Sequence, residues 1–212
     1  MTIALPPRPA DGHKGTFGTV LVLGGCDDDV GVMLGGPAFA ALGALRSGAG
    51  RCLLAMPRTI LAEALSVSPS ATGLPLVADA GEAAAQLEEA VGMMQAEVIG
   101  PGLGRSPWAA SLLEARLAGS GPPVVLDADA LNLVSEDARI MRSSERDMIL
   151  TPHPGEHARL AESLELPMAG QDDASRGEAA RTLAIRAGGV VVLKGDRPVV
   201  TDGDRTWTCD AG

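Results

Sequence analysis

Short apolar runs recur along the chain and predict buried strands separated by helices. Thr19 to Leu23 and Val190 to Leu193 are almost wholly aliphatic, a composition typical of strands buried on both faces of a sheet. Because such strands alternate with helices, we predict an α/β fold with a largely parallel sheet covered on both faces. The other predicted strands cover residues 51–56, 74–77, 96–99, 123–126 and 148–150, and the predicted helices cover residues 34–49, 58–66, 81–94, 107–117 and 175–187.

Local signals mark the ends of several of these elements. Ser106 followed by Pro107 is typical of an N-cap and a first helical residue. Ser175 and Glu178 have the spacing of a capping box. Residues 202–204, Asp-Gly-Asp, lie between alternating residues and predict the turn of an antiparallel hairpin.

The size and hydropathy of the chain predict one domain away from membranes. Its 212 residues, 46% of them hydrophobic, can bury one substantial core, so we predict a single domain over residues 1–212 with residues 1–12 as a flexible leader. No run of about eighteen apolar residues occurs. Pro6, Pro7 and Pro9 stand where a signal peptide needs an apolar stretch. We therefore expect a cytoplasmic protein with no membrane partner.

Charge and composition exclude two further classes of partner or site. A formal net charge of -10 argues against a nucleic-acid partner, and two Phe, two Trp and no Tyr leave few rings for base stacking. Cys26, Cys52 and Cys209 are far apart and form no CxxC pair. We predict reduced cysteines, with neither a disulfide framework nor a zinc site.

Polar residues follow three predicted strands, at the edge where open α/β sheets bind ligands. Asp127 and Asp129 can hold a metal ion or accept a proton, and Asn132 can donate to a ligand oxygen. For Asp129 we prefer the role of helix N-cap. His153 lies between two prolines and suits ligand binding, and Glu156 can cap the next helix or orient that histidine.

Two other features have both a ligand-binding and a structural interpretation. Lys194 ends an apolar strand, so its ammonium can meet a nucleotide phosphate or simply extend into solvent. Residues 100–104, Gly-Pro-Gly-Leu-Gly, can bring a ligand close to backbone amides or form a tight turn. His13 and His157 are less constrained, and we predict that both lie on the surface.

Together these segments resemble the ADP- or ATP-dependent NAD(P)H-hydrate dehydratases, a branch of the ribokinase-like superfamily. The resemblance implies a three-layer ribokinase-like sandwich with a C-terminal hairpin. It also implies repair of hydrated NADH or NADPH, in which the terminal phosphate of a nucleotide turns the ring hydroxyl into a leaving group that then eliminates. The matching pieces are His13-Lys14-Gly15, Phe17-Gly18, Gly24-Gly25 and residues 45–50, 100–104, 127–132, 151–156 and 191–195.

The resemblance also implies roles for individual residues. Gly36, where the family more often has alanine, would contact the hydrated nicotinamide nucleotide together with Gly104 and His153. Asp127, Asn132 and Glu156 would be supporting residues. Mg²⁺ would bridge the phosphates of ADP or ATP, and we predict no metal ligand from the chain. The phosphates and ribose of the adenine nucleotide would be lined by Lys194, Gly195, Asp196, Arg197 and Pro198.

Two features depart from the family pattern. In the family a glycine-rich turn ending in Gly-Asp follows the hairpin and supplies the catalytic aspartate, and residues 206–212 contain no such turn. We therefore expect that aspartate and the final helices to lie beyond Gly212, and we expect exposed apolar surface to favour a homo-oligomer. Asp27 to Asp29 place three acids near a dinucleotide phosphate, where like charge should weaken binding.

Two other functions remain as alternatives. One is a ribokinase-like kinase of a small alcohol, which would share the fold and the nucleotide site. The other is a catalytically silent adenine-nucleotide-binding protein.

Overall fold

The chain folds around a nine-stranded, mostly parallel sheet. A computed structural model describes residues 7–29 and 31–210. The strand order is β11-β10-β9-β8-β7-β6-β1-β4-β5, and only the pairings of β10 with β9 and β11 are antiparallel. The strands of this sheet are β1 Thr19–Leu23, β4 Arg51–Pro57, β5 Thr72–Leu76, β6 Ala96–Ile99, β7 Val124–Leu126, β8 Met148–Leu150, β9 Val190–Leu193, β10 Val199–Thr201 and β11 Thr206–Thr208.

Helices cover both faces of this sheet, as predicted. Val22 packs in an apolar cluster with α1 and α2, whereas Leu21 and Leu23 pack in a second cluster with α3, α4, α5, α7 and α8. Neighbouring residues of β1 divide in this way because successive strand side chains point to opposite faces. The helices are α1 Gly35–Ser47, α2 Leu61–Val67, α3 Ala80–Val91, α4 Pro107–Leu117, α5 Asp129–Glu136, α6 Arg139–Arg142, α7 Pro154–Leu164 and α8 Asp173–Ala187.

One hairpin outside the main sheet was not predicted. Strands β2 Cys26–Asp28 and β3 Gly31–Met33 pair with each other and lie outside the nine-stranded sheet. Their residues are mostly exposed, so the apolar alternation that marks a half-buried strand is missing. The C-terminal hairpin, by contrast, forms as predicted from β10 and β11.

Capping signals were correct for α4 and wrong for α8. The Ser106 side chain accepts a hydrogen bond from the amide of Ala109, so Ser106 is the N-cap. In α8 the N-cap is Asp172, whose carboxylate accepts from the amide of Ser175 at 2.9 Å. Ser175 therefore lies inside the helix, because Asp172, an equally favoured capping residue, stands three positions earlier.

The two histidines predicted to lie on the surface have different environments. His13 is exposed, as predicted. The prediction for His157 is wrong: its side chain is fully buried, and Nε2 lies 3.3 Å from the carbonyl oxygen of Ala179. Burial lowers the pKa of His157, so the ring is held in its neutral form.

The segment before β1 touches the body of the domain. The guanidinium of Arg8 lies 3.8 Å from the ring centre of Phe17 and donates to the carbonyl of Gly48. Residues 1–6 of the predicted leader lie outside the described residues. The flexible leader and the single-domain boundary remain predictions.

The cysteines and the lengths of the helices bear on two of the sequence predictions. Cys26, Cys52 and Cys209 are all free thiols, and burial raises the pKa of Cys52 to about 12. No helix in the described part of the chain is long and apolar enough to cross a membrane.

A buried ionic cluster links the centre of the sheet to the helices behind it. The carboxylate of Glu97, on β6, is fully buried and accepts a hydrogen bond from Arg116 at 2.7 Å. Arg146 lies 3.1 Å from its other oxygen and donates to the carbonyls of Arg116 and Pro122. Removing charges from water is costly, and this pairing offsets the cost.

We expect Glu97→Gln to lower the free energy of unfolding by about 3 kcal/mol, because it leaves two buried arginines short of a counter-charge. The matched control is Glu88→Gln. Glu88 also pairs with Arg116, at 2.8 Å, but its side chain is 76% exposed, so the loss should stay below about 1 kcal/mol. Urea denaturation of the three proteins measures the difference, and equal losses would contradict a special role for the buried pair.

Candidate functional site

Backbone hydrogen bonds join the loops that leave the parallel strands at one edge of the sheet. The amide of Gly25 donates to the carbonyl of Pro101 at 3.1 Å, which connects the exits of β1 and β6. The amide of Lys194 donates to Pro152 at 2.8 Å and connects the exits of β9 and β8. The predicted polar segments therefore share one rim, as expected for parallel strands.

The glycine loop after β6 adopts a conformation that side chains would disturb. Gly100, Gly102 and Gly104 have φ values of 122°, 61° and 75°, all in the region that favours glycine. A Cβ atom on Gly100 would overlap the carbonyl oxygen of Asp127. Turn geometry alone therefore accounts for glycine at position 100.

Asp129 is not the N-cap that we preferred from the sequence. The chain enters α5 through Ala128 at φ 50°, so Asp129 is already the first helical residue. One oxygen of its carboxylate accepts from the amide of Gly104 at 3.0 Å, and the other accepts from the side chain of Asn132 at 3.2 Å. Asp129 thus fastens the glycine loop to α5 instead of capping the helix.

Asn132 extends this network to a residue that sequence reasoning missed. Its side-chain oxygen accepts a hydrogen bond from Nε of Arg159 at 3.0 Å. Arg159 lies on α7, whose first residues follow His153. The sequence hinted at a role for Arg159 only in that this cation follows His153 by six residues, within two turns of the same helix. The network places a guanidinium beside the rim.

His153 and Glu156 form the start of α7 together. The ring Nδ1 of His153 accepts from the amide of Gly155 at 2.9 Å, and a Glu156 oxygen accepts from the amide of His153 at 2.8 Å. The other Glu156 oxygen lies 3.4 Å from Nε2 of the ring. Both roles considered for Glu156 therefore occur, since it caps the helix and also faces the half-exposed histidine. These hydrogen bonds assign the ring proton to Nε2.

Lys194 and Asp127 form an ion pair that the sequence did not predict. The ammonium of Lys194 contacts a carboxylate oxygen of Asp127 across the exit of β8, which lies between their strands. Both side chains are partly exposed. A phosphate at this edge would therefore meet a lysine already held at the rim by a carboxylate.

The segment after Lys194 carries a second cation held by acids. The guanidinium of Arg197 pairs with Asp173 and with Asp210, the latter at 2.6 Å. Gly195 and Asp196 are exposed, and Pro198 accepts a hydrogen bond from the amide of Cys209 at 2.8 Å. The predicted nucleotide residues thus form one surface loop between β9 and β10.

Two cavities lie beside the glycine loop. The larger, of about 870 Å³, is lined by the β2–β3 hairpin, Gly104 to Ser106, Asp129 and Glu136. The smaller, of about 520 Å³, shares Asp28 and Ser106 with it and is bounded by Arg58 and Trp108. His153, Lys194 and Gly36 line neither cavity. Of the three predicted substrate residues, Gly36, Gly104 and His153, only Gly104 lines one of these two cavities, so neither cavity brings the three together.

Cys26 borders the smaller cavity but lacks the character of a nucleophile. Burial, with a further contribution from Asp28, raises the pKa of its thiol. A raised pKa keeps the group protonated, whereas the thiolate is the reactive form. In the described part of the chain, no group of three or more acids, histidines or cysteines is arranged to hold a metal ion.

Comparison with known proteins identifies the family. The family model described as NAD(P)H-hydrate dehydratase matches residues 20–212. The chain belongs to the NAD(P)H-hydrate dehydratase family. A bifunctional NAD(P)H-hydrate repair enzyme from Moorella thermoacetica is 36% identical over 203 residues, which are 92% of this chain and 36% of that protein. The chain thus spans little more than a third of that relative.

Solved structures agree with this family and confirm the ribokinase-like fold. An ADP/ATP-dependent NAD(P)H-hydrate dehydratase from Bacillus subtilis, co-crystallised with ATP and Mg²⁺, matches with a TM-score of 0.71 and 31% identity. The match covers 96% of this chain and 68% of that one. A ribokinase-like superfamily protein from Enterococcus faecalis gives a TM-score of 0.76 at 23% identity, covering 95% of this chain and 66% of that one, a likeness of fold alone.

The two glycines at the rim should respond to alanine in opposite directions. A Cβ on Gly36 would meet Pro101 at an ordinary 3.5 Å, so Gly36→Ala should raise the free energy of unfolding by about 0.5 kcal/mol through helix propensity. Gly100→Ala should lower it by about 2 kcal/mol, because its φ and the Asp127 carbonyl both exclude a side chain. Urea denaturation measures both, and a neutral Gly100→Ala would disprove the close contact.

Proposed function

We propose that this chain acts in the nucleotide-dependent dehydration of hydrated NADH or NADPH. The ring hydroxyl attacks the terminal phosphorus of ADP or ATP, and the bond from that phosphorus to the nucleotide breaks. Inorganic phosphate then leaves as the ring loses a proton and regains its double bond. The observation that carries this proposal is the rim that joins the glycine loop, His153 and Lys194 in a chain of this family.

The substrate side of the proposal rests on the exits of β6 and β8. The amide of Gly104 is aligned by Asp129, and Gly36 lies against the glycine loop. His153 presents a half-exposed ring whose Nδ1 is already occupied. Its Nε2 proton faces a Glu156 oxygen at 3.4 Å and is the ring proton that can donate to a substrate oxygen. We propose that Gly36, Gly104 and His153 contact the hydrated nicotinamide nucleotide.

The nucleotide side rests on the loop between β9 and β10. We propose that Lys194 to Pro198 bind the phosphates and ribose of ADP or ATP, with Asp127 as the group that holds the ammonium of Lys194 in place. Magnesium suits this chemistry, because Mg²⁺ neutralises transferring phosphates while keeping several waters as ligands.

The acidic hairpin opposes binding at the other side of the rim. An oxygen of Asp28 would lie 3.4 Å from a Cβ on Gly104, and Asp28 and Asp29 both line the larger cavity. We propose that these acids weaken the attraction of a dinucleotide phosphate unless a cation screens them.

One assay separates the proposed activity from its alternatives. Hydrated NADH is mixed with the protein, Mg²⁺ and either ADP or ATP, and the near-ultraviolet absorbance of the reduced nicotinamide is followed together with phosphate release. Recovery of absorbance with phosphate release supports the dehydratase. A retained phosphorylated product would indicate a ribokinase-like kinase, and ADP binding without turnover would indicate a silent nucleotide-binding protein.

Variants connect the outcome of this assay to the rim. Lys194→Gln should raise the KM for the nucleotide by about tenfold, because a charge-assisted contact to phosphate is lost. Arg186→Gln is the matched control, since Arg186 is an exposed cation in the last turn of α8, which immediately precedes β9. Equal effects of the two substitutions would contradict the proposed nucleotide loop.

We also propose a cytoplasmic location and a homo-oligomer. Free thiols at all three cysteines agree with a reducing compartment.

Strand β11 is an edge strand, and Trp207 on it is exposed, as are Ile185 on α8 and Ile149 on β8. Unpaired edges and apolar side chains favour association. We expect light scattering to give a mass above the 21.5 kDa of one chain, and a monomeric mass would disprove the oligomer.

A further inference from the structure

Arg176 lies directly beneath the loop that we propose binds the adenine nucleotide. It is the fourth residue of α8, and only 9% of it is exposed. One terminal nitrogen, Nη2, lies 3.2 Å from the carbonyl oxygens of both Lys194 and Arg197. A single buried guanidinium therefore holds the two ends of the turn between β9 and β10.

The charge of Arg176 is not compensated by the part of the protein that the structure describes. Across residues 7–29 and 31–210, no carboxylate lies within ion-pair distance of its guanidinium, and its Nε has no hydrogen-bond partner. The first turn of a helix is also an unfavourable place for a cation, because the helix dipole is positive there. Buried charges normally require a partner, so an anion is the missing element.

The hydrogen bonds of Arg176 also orient the backbone of the loop. In a trans peptide the carbonyl and the following N–H point in opposite directions. Because the carbonyl of Lys194 points inward to Arg176, the N–H of Gly195 must point outward. In the described region the amides of Gly195, Asp196 and Arg197 donate no hydrogen bond. Consecutive backbone amides that remain able to donate can bind an anion.

The contact with Arg176 also explains why position 195 has no side chain. A Cβ atom on Gly195 would lie 2.5 Å from Nη2 and 2.9 Å from Nη1 of Arg176. Glycine therefore lets the backbone approach the guanidinium closely. Substitution at either residue should change the same turn.

We propose that Arg176 is a positioning residue for the nucleotide: it aims the N–H of Gly195 outward, at the start of a turn whose next two amides donate no hydrogen bond in the described residues, and the bound phosphate supplies its missing counter-charge. The inference rests on the proposed adenine-nucleotide site. Arg176 acts from behind the loop, whereas Lys194 meets the ligand from the front. Adenine nucleotide binding, and not only the stability of the fold, should therefore depend on a residue that is itself buried.

Titration calorimetry with ADP and Mg²⁺ tests this role in the whole chain. Arg176→Gln should raise the dissociation constant of ADP by about tenfold, the effect of losing charge-assisted hydrogen bonds. Arg176→Lys should raise it less, because an ammonium keeps the charge without the forked geometry. Gly195→Ala should also weaken binding, since it displaces an intact Arg176. Arg186→Gln, on the exposed side of the same helix, should bind ADP like the wild type.

Folding and affinity must be separated, so each variant is titrated well below its own melting temperature. A purely structural role would lower that temperature while leaving the dissociation constant unchanged, and this result in Arg176→Lys and Gly195→Ala would overturn the inference even if Arg176→Gln failed to fold. Wild-type protein that binds no ADP would overturn the proposed nucleotide site as well. Wild-type binding with unaffected variants would overturn only the role of Arg176.

Discussion

The close approach between the exits of β6 and β7 is the contact on which the rim depends. Gly100 lies so near the carbonyl of Asp127 that no side chain fits between them. This approach lets the amide of Asp129 donate to the carbonyl of Gly100 at 3.3 Å, and it brings the Asp129 carboxylate to the amide of Gly104. The glycine loop and α5 therefore behave as one unit, and the cavity beside them has a fixed wall.

Charge is distributed unevenly around this frame. Behind the sheet, both buried arginines, Arg116 and Arg146, pair with Glu97, and Arg116 also pairs with Glu88, so two carboxylates balance the two cations. At the rim, Lys194 and its ion-pair partner Asp127 are both partly exposed. Arg176 has no carboxylate partner in the described residues. The side of the rim near β9 thus holds three cations, two of them paired with carboxylates, whereas the β2–β3 hairpin carries acids alone. An anionic ligand would be drawn to the first side and repelled by the second.

Sequence reasoning was reliable where one local signal controlled the outcome. Val190 to Leu193 became a buried strand because an aliphatic run of this length has few other stable environments. Ser106 became an N-cap because the next residue is a proline suited to the first helical position. The predicted N-caps Asp129 and Ser175 were wrong, because in each case the helix can begin at more than one nearby residue. Sequence reasoning was also wrong for His157, whose burial follows from the packing of α7 against α8.

By itself, the sequence determined the α/β class, most strands and helices, the family and the residues that stand at the strand exits. These follow from hydrophobic periodicity and from motifs in which the interacting residues are close in the chain. The pairing of Lys194 with Asp127, the link from Arg159 to Asn132 and the position of Arg176 under Gly195 were decided only by the tertiary structure. Each joins residues distant in sequence, and only the order of strands in the sheet brings them together.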